Sequence, residues 1–202
     1  MSCIRLLQGV DMSCRSYARK YFQQIVLVNK QDVVDYLIVT SEDGAPAHRL
    51  FFTLKGGSTG YRFTSVAGGF SNLGSFEKTV KEGVPQYLHT IQLLLMGVDE
   101  EVKVLLKQLD NSEYFAAIQY HDNTVEVYGF EFGLSTRDYT YDAQAGGGGA
   151  LILLSSENDA LEDDPPYIYG GNIEDFDNNF TTNLPVPEGD FNDDFSDDFY
   201  TE

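Results

Sequence analysis

Tryptophan is absent, cysteine occurs twice, histidine three times, and basic residues are scarce: 13 Lys and Arg stand against 32 Asp and Glu in 202 residues, a formal charge of −19. Each shortage excludes something. A phosphate backbone is held by cations that release counterions, so this balance excludes a free-standing nucleic-acid binder and disfavours an anionic membrane surface. Cys3 and Cys14 are too few for a disulfide framework, and a zinc site would need His48, His89 or His121 to converge on them; the pair reads as small buried thiols. No window approaches the roughly 18 apolar residues of a membrane helix. The N-terminus lacks an apolar run with a small-residue cleavage site, so a soluble, unprocessed chain without a membrane partner is expected.

Cations are also missing from one end. Arg137 is the last of them, so residues 1–156 hold 17 acids against all 13 basic residues, whereas residues 157–202 hold 15 acids and none. The latter stretch contains Pro165, Pro166, Pro185 and Pro187 and no periodic apolar face, a composition that does not offset its own ordering entropy. Aromatic rings nevertheless recur among its acids: Phe176, Phe180, Phe191, Phe195, Phe199 and Tyr200. The four-residue spacing of Phe191, Phe195 and Phe199 places three rings on one helical face when a partner offers a groove. The expected organisation is a body over 1–156, a Pro-containing linker over 157–169 and an acidic-aromatic docking arm over 170–202.

What the body has in quantity is apolar and aromatic residues; the whole chain is 42% hydrophobic, with 13 Tyr and 14 Phe. Strand signals fall at Gln24 to Val28, Tyr36 to Thr40, Arg49 to Leu54, Gly60 to Ser65 and Leu88 to Leu95. Asp43-Gly44 and Gly56 to Gly60 punctuate them as turns. Val98, Val102, Leu105, Leu106 and Leu109 form the stripe of an amphipathic helix, with Asp99, Glu100 and Glu101 in its first turn, as the helix dipole prefers. Beyond it, Tyr114 to Tyr120 and Thr124 to Tyr128 read as strands joined through His121-Asp122-Asn123. Thr136 to Tyr141 and Ala150 to Leu154 make a further pair around Gly146 to Gly149. A shorter helical piece is expected near Phe76 to Lys81. The fold class is mainly β or α+β: a sandwich or partly closed barrel with one principal flanking helix.

Chemistry is harder to find. Gly146 to Gly149 lacks the Lys-Ser/Thr of a phosphate-binding loop and precedes a strand. It reads as a hairpin tip whose glycines, Gly146, Gly147, Gly148 and Gly149, suit close approach to a neighbouring subunit or a place lining the lumen of a ring. The histidines stand apart, no nucleophile elbow is present, and Asp193-Asp194 with Asp197-Asp198 lack the spacing of a calcium loop. The expectation is no catalytic residue, no metal and no cofactor.

Two stretches carry a resemblance. Cys3-Ile4-Arg5-Leu6 with Gly9 and Cys14, and Thr124 to Leu134 followed by a polar hairpin, Gly146 to Gly149 and Ala150 to Leu154, resemble small structural virion proteins of phages of Bacteroides-type bacteria, crAss-like phages included. In that family a Leu-rich helix leads to a strand pair, a Tyr-Gly and Gly-Leu element, a glycine hairpin and an apolar strand near an acid. The matching positions are Val98 to Asp110, Tyr114 to Tyr128, Tyr128-Gly129 with Gly133-Leu134, Gly146 to Leu154, and Glu157, covering residues 1–168. Four consecutive glycines and the arm beyond 168 depart from the pattern. The resemblance implies a tail-tube-like β-sandwich that assembles into rings, a non-enzymatic tail or neck component of the DNA-conducting tail. It would be located in the virion after assembly in the host cytoplasm. Implied partners are identical subunits and other virion proteins such as the portal, adjacent tail rings or the tail hub, with DNA only as passing cargo. The competing readings are a head-decoration or head-fibre protein, an acidic DNA-mimic inhibitor of a nuclease and, least favoured, a hydrolase.

Overall fold

A computed structural model describes residues 22–39, 49–64, 73–96, 100–110, 112–120, 122–142, 149–156 and 161–171. Eleven strands lie in these segments: β1 (Phe22–Asn29), β2 (Val33–Val39), β3 (Arg49–Leu54), β4 (Tyr61–Thr64), β5 (Leu73–Lys81), β6 (Val84–Met96), β7 (Tyr114–Tyr120), β8 (Val125–Tyr128), β9 (Ser135–Asp142), β10 (Gly149–Ser155) and β11 (Tyr167–Tyr169). Helix α1 spans Glu100–Leu109, and a single 3-10 turn, Lys30–Asp32, joins β1 to β2. The strands form a seven-stranded sheet of order β2-β3-β11-β8-β7-β1-β4 and a four-stranded sheet of order β5-β6-β10-β9.

Alternation along the strands explains the two cores. In β1 and β7 successive side chains point to opposite faces, yet every side chain from Gln24 to Val28 and from Tyr114 to Tyr120 is buried. Ile25, Leu27, Ala116 and Ile118 face the smaller sheet, where they meet Ile91, Leu93, Ala150, Ile152 and Leu154. Val26, Val28, Phe115 and Ala117 face the other way, onto Leu50, Phe52, Val127, Phe130 and Tyr167. Leu106 and Leu109 of α1 close one end of the first core, with Leu105 packed beside them, so the expected apolar stripe covers a sheet at these positions.

The second core exists because the larger sheet rolls. β1 and β2 are sixth and first in the strand order, which in a flat sheet sets them roughly 24 Å apart at ~4.8 Å per strand. Only the three residues of the 3-10 turn join them, a reach of at most ~14 Å. The turn is tied down at both ends: Lys30 N–H donates to the Glu113 carbonyl at 3.0 Å and Lys55 N–H to the Asp32 carbonyl at 2.9 Å. The rings of Phe52 and Phe115, three strands apart in the order, consequently meet edge to face at 5.0 Å. Among the described residues, backbone pairing does not close the roll into a barrel.

Two expectations are corrected. Phe76 to Lys81 is not helical; it is the outer part of β5, paired with β6 from Leu73↔Gln92 to Lys81↔Val84. The two turn residues, Glu82 and Gly83, both have positive φ (53° and 85°), the geometry whose twist matches the flanking strands. Phe76, Lys78 and Val80 recur every second residue, and the long β6 beside them makes that period decisive. Nor is 157–169 a linker throughout: β11 sits inside the larger sheet, parallel to β3 and antiparallel to β8, and Leu161, Glu162 and Tyr167 are buried. Gly170 ends this strand where a Cβ would lie 2.0 Å from the Phe51 ring, so no larger residue fits without repacking.

Candidate assembly interface

The residues singled out for partner binding, Phe176, Phe180, Phe191, Phe195, Phe199 and Tyr200, lie outside the described residues, as do Gly146, Gly147 and Gly148, Cys3, Cys14, His48 and His121. Gly149 is the first residue of β10, half-buried and opposite Met96 and Asp142. Among the described residues no group of three or more His, Cys, Asp or Glu is placed to hold a metal ion.

The structure brings together residues that the sequence reading passed over. Segment 161–167 and the loop after β8 exchange carboxylates for backbone amides. Glu162 accepts from the N–H groups of Glu131 at 2.8 Å and Phe132 at 3.1 Å, and Glu131 accepts from the Asp163 N–H at 2.8 Å. The Tyr167 hydroxyl lies 2.5 Å from Glu131 Oε1 and 2.9 Å from Asp164 Oδ2 and donates to one at a time. Lys30 Nζ reaches the same loop, donating to the carbonyls of Phe130, at 2.7 Å, and Glu131. Burial pushes the Glu162 carboxyl up to about 7, while its two amide donors pull it down; the Glu131 charge pushes up and the Lys30 charge pulls down. Burial likewise lowers the Lys30 ammonium and raises the Tyr167 phenol.

His89 lies beside this clamp on β6. Its Nδ1 accepts from the Gly129 N–H at 3.0 Å, so the ring proton of the neutral form resides on Nε2. Burial drives this imidazole down to about 4, against a small opposing pull from the Asp164 backbone carbonyl. Gly129 itself has φ of +69°, and a Cβ there would lie 2.3 Å from Leu134 Cγ. A second polar group lies on β7 and β8, where Tyr120 and Tyr128 both reach Glu126 Oε2, at 3.0 and 2.9 Å. Burial raises both phenols. These arrangements hold loops and strands; their carboxylates already accept from the protein's own donors. A pocket of about 380 Å³ opens between α1, β1 and β4, lined by Tyr61, Phe63, Leu105, Lys107 and Tyr114 among others, and among the described residues no histidine or carboxylate lines it.

The surface carries the stronger signal. β2 ends the larger sheet, and among the described residues no strand pairs with its outer edge. Val34, Tyr36, Leu37 and Val39 are exposed on it, Val34 by 63%. Asp35 is its only charged residue. Edge strands are normally blunted by charged side chains, proline or a bulge; here the irregularity between Val33 and Asp35 is present, and the Asp35 carboxylate accepts from the Tyr36 N–H at 2.8 Å. The outer part of the β5–β6 hairpin is a second such feature: Ser75 to Pro85 are exposed on both faces, with Phe76, Val80 and Val84 among them. The signals for both were in the chain, as an apolar run with one acid and as alternating residues before Glu82-Gly83. Exposure itself is not a sequence property.

Compared with protein-family models, curated proteins and solved structures, the chain matches none of them.

Proposed function

We propose that this protein is a structural assembly protein, a ring-forming tail or neck component of a phage virion whose activity is to bind copies of itself and neighbouring virion proteins. The observation that carries the reading is the outer edge of β2, an almost uncharged strand with four large apolar residues in solvent. Such an edge templates pairing with another chain, and closure of a ring removes it. The excess of acids supports a role beside passing DNA, because a negative wall repels the duplex instead of adhering to it. The carboxylates of Glu131 and Glu162 serve as structural acceptors in this reading, and it assigns no catalytic residue.

The test is sedimentation velocity of the full chain across concentration, with electron microscopy of the same material. Closed homo-oligomeric rings that leave DNA unbound are expected. A monomer at every concentration overturns the reading.

A further inference from the structure

We infer that the outer edge of β9 takes up the β5 edge of a second copy, antiparallel, with Asp138 opposite Thr79, Tyr139 opposite Lys78, Thr140 opposite Glu77 and Tyr141 opposite Phe76. The smaller sheet then continues from copy to copy. The inference rests on the self-assembly proposed above and adds a contact separate from β2.

Hydrogen-bond direction sets which residues can meet. β5 and β9 end the smaller sheet, and among the described residues no strand pairs with either outer edge. Ser75 to Val80 and Arg137 to Thr140 are exposed. The Ser156 N–H donates to the His89 carbonyl, which fixes the alternation of peptide groups: His89 and Ile91 face β10, while Leu88 and Thr90 face β5. Their partners Glu77 and Ser75 therefore face β6, and the peptide groups of Phe76 and Lys78 point off the β5 edge. By the same alternation Leu151 and Leu153 face Thr140 and Asp138, and the peptide groups of Tyr139 and Tyr141 point off the β9 edge. Tyr139 with Lys78 and Tyr141 with Phe76 are then the pairs that exchange both backbone bonds. The faces agree as well. Phe76 lies on the face of His89, whose ring meets Tyr128 of the larger sheet at 5.6 Å, and Tyr141 packs against the first core.

Side chains set the register. It opposes two aromatic rings, Tyr141 and Phe76, and places the Lys78 ammonium beside the Tyr139 ring, with no like charges face to face. A slip of two residues sets Glu77 opposite Asp138 in one direction and opposite Asp142 in the other. Strand direction fits without adjustment: three antiparallel pairings separate β5 from β9, so the two run opposite ways, and a copy displaced along the sheet without being turned over meets its neighbour antiparallel. Two copies joined through β5 alone leave both β9 edges bare. Joining β5 to β9 is a head-to-tail contact, which generates a ring when its rotation closes and leaves neither edge exposed.

Two full-length variants test it in a background with Cys3→Ser and Cys14→Ser: Glu77→Cys and Thr140→Cys. The two positions form a non-hydrogen-bonded pair, whose Cα separation of about 4.5 Å is within disulfide reach. Mild oxidation of the mixture is expected to give a covalent dimer containing one of each, and neither variant alone is expected to cross-link. In uncross-linked protein, Thr140→Glu should weaken self-association about fivefold by opposing Glu77, and adding Glu77→Lys should restore it. That restoration also shows that Thr140→Glu folds. An oligomer in which Glu77→Cys cross-links to itself, in which the mixture gives no mixed dimer, or in which Glu77→Lys fails to rescue, overturns this pairing and leaves self-assembly standing. A chain that sediments only as a monomer overturns both.

Discussion

Glu162 is buried to 1% exposure with two backbone amides, not a cation, as its hydrogen-bond donors. Glu162→Ala leaves the amides of Glu131 and Phe132 without an acceptor, and an unsatisfied buried donor costs about 1–3 kcal/mol. We expect urea midpoints to report a loss of about 2–4 kcal/mol, and Glu162→Gln, which keeps one acceptor oxygen, to lose less. The same residue and His89 set opposing pH dependences. Glu162 is raised from 4.5 to about 7, so the folded state holds the extra proton, and its contribution is full below 4.5 and lost as pH rises through 7. His89 is lowered from 6.5 to about 4, so its contribution is full above 6.5 and lost as pH falls through 4. Between 4.5 and 6.5 the two offset each other. In His89→Asn, whose side-chain oxygen can still accept from Gly129, stability should therefore fall as pH rises from 4.5 to 7, by up to about 3 kcal/mol. In Glu162→Gln it should instead rise from pH 4 to 6.5. Equal slopes in the two variants would contradict the assignment.

Among the described strands, β11 is the shortest and one of the most constrained. Tyr167 fills the second core, and the Gly170 N–H donates to the Leu50 carbonyl at 3.0 Å. A chain ending at Gly171 should keep the wild-type circular dichroism spectrum and a cooperative thermal transition. A chain ending at Ser156 should lose that transition, because β3 and β8 are left with unpaired inner edges and the ring of Tyr167 is gone. The β5–β6 hairpin has the opposite character. Val80 is 64% exposed, and surface changes away from caps and cores stay within about 0.5 kcal/mol. Val80→Thr should accordingly leave the unfolding midpoint unchanged, whereas Gly83→Val, at φ of +85°, should lower it. The helix expected over Phe76 to Lys81 shows the limit of a local reading: six residues containing both Phe76 and Val80 fit a helical turn or a strand, and the partner β6 decides.

For the whole molecule, charge is the term that acts at a distance. Residues 172–202 hold 10 acids and no cation, so the shortened chain ending at Gly171 carries −9 where the full chain carries −19. Copies that meet edge to edge bring these charges together. Raising ionic strength from 0.01 to 0.15 M shortens the screening length from ~30 to ~8 Å. Salt should therefore strengthen association of the full chain, and do so less for the shortened one, in sedimentation velocity at the two ionic strengths. An equal salt response in both would mean that the acids of 172–202 contribute nothing to the repulsion.

Strand identity was legible in the chain wherever side chains alternate or run apolar between turn residues: Arg49–Leu54 and Tyr114–Tyr120 have the expected bounds, and α1 begins within the predicted first turn. These are local properties, set by backbone sterics and by the period at which apolar groups recur. The tertiary structure alone decided that the larger sheet rolls, since three residues between β1 and β2 become a constraint only once four other strands lie between them in the sheet. It also decided that an acid-rich, proline-bearing stretch supplies a buried strand, because Glu162 finds its donors on a loop about thirty residues away in sequence. Which edge remained bare was settled at the same level. Tyr36 to Thr40 reads as an ordinary strand, and only the strand order leaves the outer edge of β2 without a paired strand among the described residues.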